Sequence, residues 1–136
     1  QFAERKVKKH YQALTSQAPL VKKGTLEHWH RKEKKKAALY DYEIQYSEKA
    51  SLTYDVTEMT ANRYLWNIEL HTGKYHQIRA QLALIDCPII GDSLYGSTIQ
   101  YAPDSIALHA HKLIFFHPIT NEKMTIEVKS EFKIQI

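Results

Sequence analysis

Apolar residues recur at every second position between Leu39 and Leu70, and this spacing limits the fold more than any other feature of the chain. Alternation of apolar and polar residues is typical of β-strands that bury one face. The pattern predicts three neighbouring antiparallel strands, joined by residues 47–50 and 60–63. Their inward-facing residues are expected to be Tyr40, Tyr42, Ile44 and Tyr46, then Leu52, Tyr54 and Val56, then Tyr64, Trp66, Ile68 and Leu70.

After Gly73 the apolar spacing becomes that of a helix. The apolar residues now lie three, four and three positions apart, at Tyr75, Ile78, Leu82 and Ile85. This is one face of an amphipathic helix of about three turns. We expect Thr72 to cap its N-terminus, and we expect the helix to stop at Asp86-Cys87-Pro88, because the residue before a proline disfavours helical geometry.

Other segments complete an α+β prediction. One strand is expected near Tyr11 and another at Thr25–Trp29, followed by an exposed loop at Arg31–Lys36, and Gly91 and Gly96 bracket a compact loop. Strand-like patterns return at Leu113–Phe116, Met124–Val128 and Phe132–Ile136. The fold class is therefore α+β, mainly antiparallel or mixed β-sheet with one well-defined amphipathic helix, in a single domain over residues 1–136.

Composition excludes several classes of protein. No apolar run approaches the roughly 18 residues that span a bilayer, so we expect no membrane association. The single cysteine, Cys87, cannot form an internal disulfide, which fits the reducing cytoplasm. Residues 1–36 carry eleven Lys and Arg against three Asp and Glu, whereas residues 37–136 carry eight against twelve. The basic first quarter predicts contact with a polyanion.

The densest group of polar residues lies on the predicted helix and the segment that leads into it, residues 71–79. At 100° per residue, His76 and Arg79 share a stripe beside the apolar face, so Arg79 should emerge where the core meets a cleft. There it could offer a two-pronged donor to a carboxylate or a phosphate. The alternative is an ordinary solvated charge on a helix.

Four blocks of this chain resemble the RluA-like pseudouridine synthase family. They are Lys9-x-Tyr11-x-Ala13; Leu70-x-Thr72-Gly73-Lys74-x-His76-Gln77-Ile78-Arg79-x-x-Leu82-Ala83; Pro88-Ile89-x-Gly91-Asp92-x-x-Tyr95-Gly96; and Leu108-His109-Ala110 with Leu113-x-Phe115-x-His117-Pro118. The resemblance covers about residues 5–128, with Lys74, Tyr75 and Gln81 standing where the family usually has Arg, Thr and His. It implies the C-terminal half of that family's catalytic domain.

The resemblance also implies an activity and roles for residues. The family isomerises uridine to pseudouridine in structured RNA, ribosomal or transfer, and needs no cofactor. Arg79 would pair with the catalytic aspartate, and Tyr11 would pack on the flipped base. Asp92 and Tyr95 would be scaffold, with Asp92 capping backbone amides of its loop.

The family's His-Arg-Leu-Asp stretch, which carries the catalytic aspartate, does not occur in this sequence. The first residue is Gln1 and not methionine. We therefore expect a C-terminal part that is inactive alone and works as a monomer with an upstream part of the same protein. A non-catalytic RNA-binding module that has lost the aspartate is the alternative.

Candidate RNA-binding residues are basic ones: Lys9, Lys22, Lys23, Lys34, Lys35, Lys36 and Lys74. Their competing role is a solvated surface that keeps the protein soluble. The tyrosines at positions 40, 42 and 46 could stack on bases, but the period-two spacing favours a core role.

A small histidine metalloprotein is a third possibility. It would use His109, His111 and His117, or the pair His28 and His30. Neither set has a companion carboxylate or cysteine at a familiar ligand spacing, so we expect no metal.

Overall fold

A computed structural model describes residues 8–60, 62–102, 105–116 and 123–127. Its strands are β1 Lys8–Thr15, β2 Lys23–Glu33, β3 Lys36–Tyr40, β4 Glu48–Thr60, β5 Arg63–Leu70, β6 Leu108–Phe116 and β7 Lys123–Glu127; helix α1 is Gln77–Leu84, and Ser93–Tyr95 is a 3₁₀ turn. The strands form one sheet in the order β3-β2-β4-β5-β1-β6-β7, and every neighbouring pair is antiparallel. The predicted α+β class is confirmed. Within the described residues, no helix is long and apolar enough to cross a membrane.

The core lies on one face of the sheet, where the period-two residues of β4 and β5 meet. Tyr54 pairs with Ile68 and Val56 pairs with Trp66, all of them buried. Ile78 and Leu82 of α1 belong to the same buried cluster, as the helical spacing predicts. The buried Trp66 indole donates a 2.8 Å hydrogen bond to the Thr15 hydroxyl, which fixes β1 against β5.

The predicted strand over residues 40–46 is wrong. β3 ends at Tyr40, and residues 41–47 form a loop in which Tyr42 and Tyr46 are 69% and 82% exposed. The predicted loop at residues 31–36 is wrong as well, because 31–33 belong to β2 and only residues 34 and 35 make the turn. Alternation produces a strand only where a partner is available, and residues 29–33 of β2 pair with β3, which ends before residues 41–47.

The helix is shorter than predicted. It begins at Gln77 after His76, whose backbone is left-handed at φ 52° and ψ 27°, so Thr72 is not the cap. The Thr72 hydroxyl instead donates to Oε1 of Gln77 at 2.9 Å, and the Lys74 amide donates to the same oxygen at 3.0 Å. The Gln77 side chain thus folds residues 72–76 into a loop that an unbroken helix would not allow. The strand expected at Phe132–Ile136 lies outside the described residues.

Candidate active site

Arg79 stands at the centre of the candidate site, held by Asp92. Its Nε and Nη2 donate to the two carboxylate oxygens of Asp92 at 2.9 and 2.8 Å. The Asp92 side chain is 1% exposed and that of Arg79 is 22% exposed. These hydrogen bonds raise the pKa of Arg79, so its charge is permanent. The helix supplies the cation and the loop after it supplies the anion.

The expectation that Asp92 caps backbone amides is wrong, since its carboxylate binds Arg79. The amides of Tyr95 and Ser97 bind the main-chain oxygen of Asp92 instead, at 3.2 and 3.0 Å. A charge buried without a partner is costly, and this cost explains why the carboxylate turns towards the guanidinium. The expected pairing of Arg79 with a catalytic aspartate stays a prediction, because the sequence holds no His-Arg-Leu-Asp stretch.

His76 contacts Arg79 on the side away from Asp92, and this contact determines which nitrogen of the His76 ring carries the proton. Its Nε2 lies 3.1 Å from Nη1 of Arg79, which can only donate, so Nε2 accepts and the ring proton is on Nδ1. That Nδ1 donates to the Tyr95 hydroxyl at 2.8 Å. Burial and then the charge of Arg79 lower the pKa of His76, which keeps the ring neutral.

Donor counting shows what this network still offers. A guanidinium has five N–H groups; Arg79 uses two on Asp92 and one on His76, which leaves one on each terminal nitrogen. The Tyr95 oxygen accepts from His76 and from the Ala37 amide, at 2.8 and 2.9 Å, so its own hydrogen can be donated elsewhere. Burial raises the pKa of Tyr95, which keeps that hydrogen in place. The site can therefore hold an anionic acceptor.

Two lysines of the β2–β3 hairpin lie over aromatic rings beside this network. The ring of Tyr75 stacks on that of His76 at 3.9 Å, and Lys32 Nζ lies 4.2 Å from the Tyr75 ring centre. Lys36 Nζ lies 5.2 Å from the ring centre of Tyr95. The sequence places Lys32 in a basic run, residues 31–36, but predicts a loop there, so its position over Tyr75 could not be inferred.

Tyr11 and Lys9 lie on β1 and outside the hydrogen-bond network of Arg79. Tyr11 is half-buried against the core, opposite Ile68 of β5, next to a register shift in the pairing with β6. Lys9 reaches the loop before α1, since a Cβ placed on Gly73 would lie 3.1 Å from its Nζ. The glycine of the Thr72-Gly73-Lys74 motif therefore leaves room for Lys9.

The other candidate RNA-binding lysines form two groups rather than one. Lys22 and Lys23 lie at the start of β2, whereas residues 34–36 lie at its far end, roughly 35 Å away at about 3.3 Å per residue. All five are exposed. Lys74 is half-buried and lies 3.4 Å from Glu48. Of these lysines, Lys36 lies over the Tyr95 ring of the network around Arg79, and Lys74 lies in the loop that leads into α1.

The two histidines of β2 hold the strand against α1 and the loop before it through hydrogen bonds. His28 Nδ1 accepts from the Gln81 amide at 2.9 Å, and burial lowers the pKa of His28. His30 donates from Nε2 to the main-chain oxygen of Tyr75 at 2.7 Å. Within the described ranges, no group of three His, Cys, Asp or Glu could hold a metal ion. The side chain of His111 and the whole of His117 lie outside those ranges.

Comparison with known proteins identifies the family. Residues 1–84 match the RNA pseudouridylate synthase family model. An uncharacterised RNA pseudouridine synthase of Aquifex aeolicus is 32% identical over 95% of this chain and 44% of its own length. The dual-specificity RNA pseudouridine synthase RluA of Haemophilus influenzae is 30% identical over 97% of this chain and 61% of its own length.

A solved structure shares the fold. Human RNA pseudouridylate synthase domain containing 1 superposes with a TM-score of 0.77, at 21% identity, over 96% of this chain and 57% of that one. The chain spans less than half the length of the Aquifex relative. Because the family model covers well over half of the residues, the chain belongs to the RNA pseudouridine synthase family.

Proposed function

We propose that this chain is the C-terminal part of a pseudouridine synthase catalytic domain that isomerises specific uridines in ribosomal or transfer RNA. The observation that carries the proposal is Arg79, a half-buried and permanently charged donor with two N–H groups still to offer. It lies in the motif that resembles the family's active site. We further propose that residues 1–136 form one domain, and that the enzyme works as a cytoplasmic monomer without a cofactor.

In the proposed reaction the C1′–N1 bond of a flipped uridine breaks, the uracil turns, and a C1′–C5 bond forms. The C5 proton then leaves and the freed N1 takes up a proton, so the product is an isomer of the substrate. A carboxylate supports the electron-poor sugar as nucleophile or base, and it has to stay ionised in a sheltered cleft. The two remaining N–H groups of Arg79 suit this task, because a nearby cation lowers the pKa of a carboxyl group.

Tyr11 has the second proposed role. Its ring packs on the flipped base, and its hydroxyl handles the C5 proton. Its place on β1, beside a register shift, supports this role because such irregularities re-aim side chains near active sites. Base flipping costs a few kcal/mol, which stacking and phosphate contacts offset.

Lysines are proposed to supply the phosphate contacts. Lys9 and Lys74 lie at the loop before α1, and Lys36 of the hairpin lies over the Tyr95 ring, whereas Lys22 and Lys23 lie at the other end of β2. If both groups touch one RNA, neutralising either group should flatten the plot of log K against log salt by about 0.7 for each lost single-strand contact.

The test of the activity uses full-length protein and unmodified ribosomal and transfer RNA transcripts. We expect pseudouridine at defined positions, with no added cofactor. RNA binding without any product would contradict the proposal and favour a non-catalytic RNA-binding module. Variants with glutamine at Lys34–Lys36, or at Lys22 and Lys23, separate the two basic groups; an unchanged salt slope for one group means that its charge faces only water.

A further inference from the structure

A cavity of about 540 Å³ lies beside the Arg79 network and shares a wall with it. Its lining includes Tyr46 from the loop after β3, Lys32 from β2, and Lys74 and Tyr75 from the loop before α1. The ring of Tyr75 stacks on that of His76, and His76 in turn contacts Arg79. The cavity is therefore next to the proposed reaction centre, while neither Arg79 nor Tyr11 belongs to its lining.

The backbone of Tyr46 is strained, and burial of its side chain does not offset that cost. Its φ is 65°, the left-handed region that costs a residue with a side chain about 1–2 kcal/mol. Its ring is 82% exposed, so it gains almost nothing from burial. A strained and exposed aromatic residue beside a cavity points to a ligand.

The loop around Tyr46 is held in place by its neighbours. The Ser47 hydroxyl donates to the Ile44 oxygen at 2.6 Å and accepts from the Ile44 amide at 3.0 Å. Arg31 Nη1 donates to the main-chain oxygen of Gln45 at 3.1 Å. These bonds hold the backbone on either side of Tyr46 and so maintain its left-handed conformation.

The charge around the cavity favours an anion. Lys32 and Lys74 both line it, and the acid beside them is Glu48, whose side chain is 72% exposed and lies 3.4 Å from Lys74. Arg31 also lines the cavity, but Glu33, Tyr40 and Gln45 already engage its guanidinium. An exposed ring with two lysines matches a flat base joined to a phosphate, the combination by which proteins hold unpaired nucleotides.

We propose that this cavity binds one unpaired nucleotide of the RNA, next to the uridine that reacts. The base stacks on Tyr46, and Lys32 and Lys74 contact its phosphate. The inference rests on the proposed function, because it takes RNA to be the substrate. It adds a subsite outside the reaction centre.

The test compares Tyr46→Asn with wild type in full-length protein. Asparagine tolerates the left-handed backbone, so the variant should unfold at the same or a higher urea concentration. Stacking is worth about 1–3 kcal/mol per base, so affinity for a single-stranded oligoribonucleotide should fall about 5- to 150-fold in fluorescence anisotropy. Tyr46→Phe keeps the ring and should bind like wild type.

Tyr42→Asn is the matched control. Tyr42 is 69% exposed in the same loop, but it neither lines the cavity nor has a left-handed backbone. Affinity of Tyr46→Asn equal to that of Tyr42→Asn would overturn the inference and leave the proposed function standing. Lower stability of Tyr46→Asn would also overturn it, because Tyr46 would then be structural. A wild type that binds no RNA would refute the proposed function and the subsite together.

Discussion

Replacing Asp92 with asparagine is expected to slow catalysis, and the whole effect should arise because Arg79 loses its orientation. The buried carboxylate accepts two hydrogen bonds from Arg79, and an asparagine can accept only one while its amide group faces the other donor. A charge-assisted hydrogen bond contributes about 1.5–3 kcal/mol, and breaking a buried ion pair costs about 3–5 kcal/mol. The free energy of unfolding should therefore fall by about 3 kcal/mol.

The expected change in the catalytic rate follows from the same two hydrogen bonds between Arg79 and Asp92. Removing Arg79 outright by Arg79→Ala should cost at least about two decades in the single-turnover rate, since 1.36 kcal/mol in a barrier is about tenfold. RNA binding should change little. Asp92→Asn leaves the guanidinium present but badly oriented, so its rate should fall by about one to two decades.

A double-mutant cycle tests whether Asp92 affects the rate only through Arg79. If Asp92 acts through Arg79, the double variant Arg79→Ala/Asp92→Asn should be no slower than Arg79→Ala. It should also be more stable than Arg79→Ala, which leaves the Asp92 carboxylate buried without its cation. Asp86→Asn is the control, because Asp86 is exposed and its left-handed backbone suits asparagine. Rate losses that multiply in the double variant, or a near-normal rate for Arg79→Ala at saturating RNA, would refute the reasoning.

The 136-residue chain alone should form no pseudouridine on unmodified transcripts, because it lacks the His-Arg-Leu-Asp stretch; product detected by mass spectrometry would contradict this. The pKa of His76 is lower in the folded chain than in the unfolded one, so the folded state binds fewer protons and the free energy of unfolding should fall as pH drops below about 6.5. Urea unfolding between about pH 5 and 8 should show a smaller fall for His76→Gln, and equal falls would rule out this contribution. Gly91→Ala should destabilise far more than Gly96→Ala: both glycines have positive φ, but a Cβ on Gly91 would lie 2.7 Å from the Ser105 oxygen, whereas on Gly96 it meets no atom within 4 Å. Similar urea midpoints for these two variants would contradict that packing.

Sequence reasoning succeeded where one physical effect dominated. The residues of β4 and β5 alternate because one face is buried, so Val56 and Trp66 were identifiable as core residues. It failed for Tyr42 and Tyr46, because alternation says nothing about whether a partner strand is present. It also misplaced the start of α1, since a left-handed His76 gives no capping signal in the sequence.

The candidate site could be predicted only in part from the sequence, because its contacts join residues that are distant along the chain. The family motif points to Arg79, but its contact with Asp92 joins residues 13 positions apart across a helix end and a loop. Such a contact depends on the path of the loop, which local spacing does not reveal. The same holds for Lys32 and Tyr75, which meet only because the β2–β3 hairpin folds over the start of α1.

The position of β1 in the sheet has a consequence for the order of folding. Strands β2 to β5 are joined by local connections, whereas β1 pairs with residues 64–70 and 108–114, far along the chain. Distant pairings close large loops and so form slowly. We therefore expect strands β2 to β5 to pair with one another first and β1 to dock late, joining them to β6 and β7. Lys9 and Tyr11 lie on this strand. The chain would therefore place Tyr11, the tyrosine proposed to pack on the flipped base, only at the step that completes the sheet.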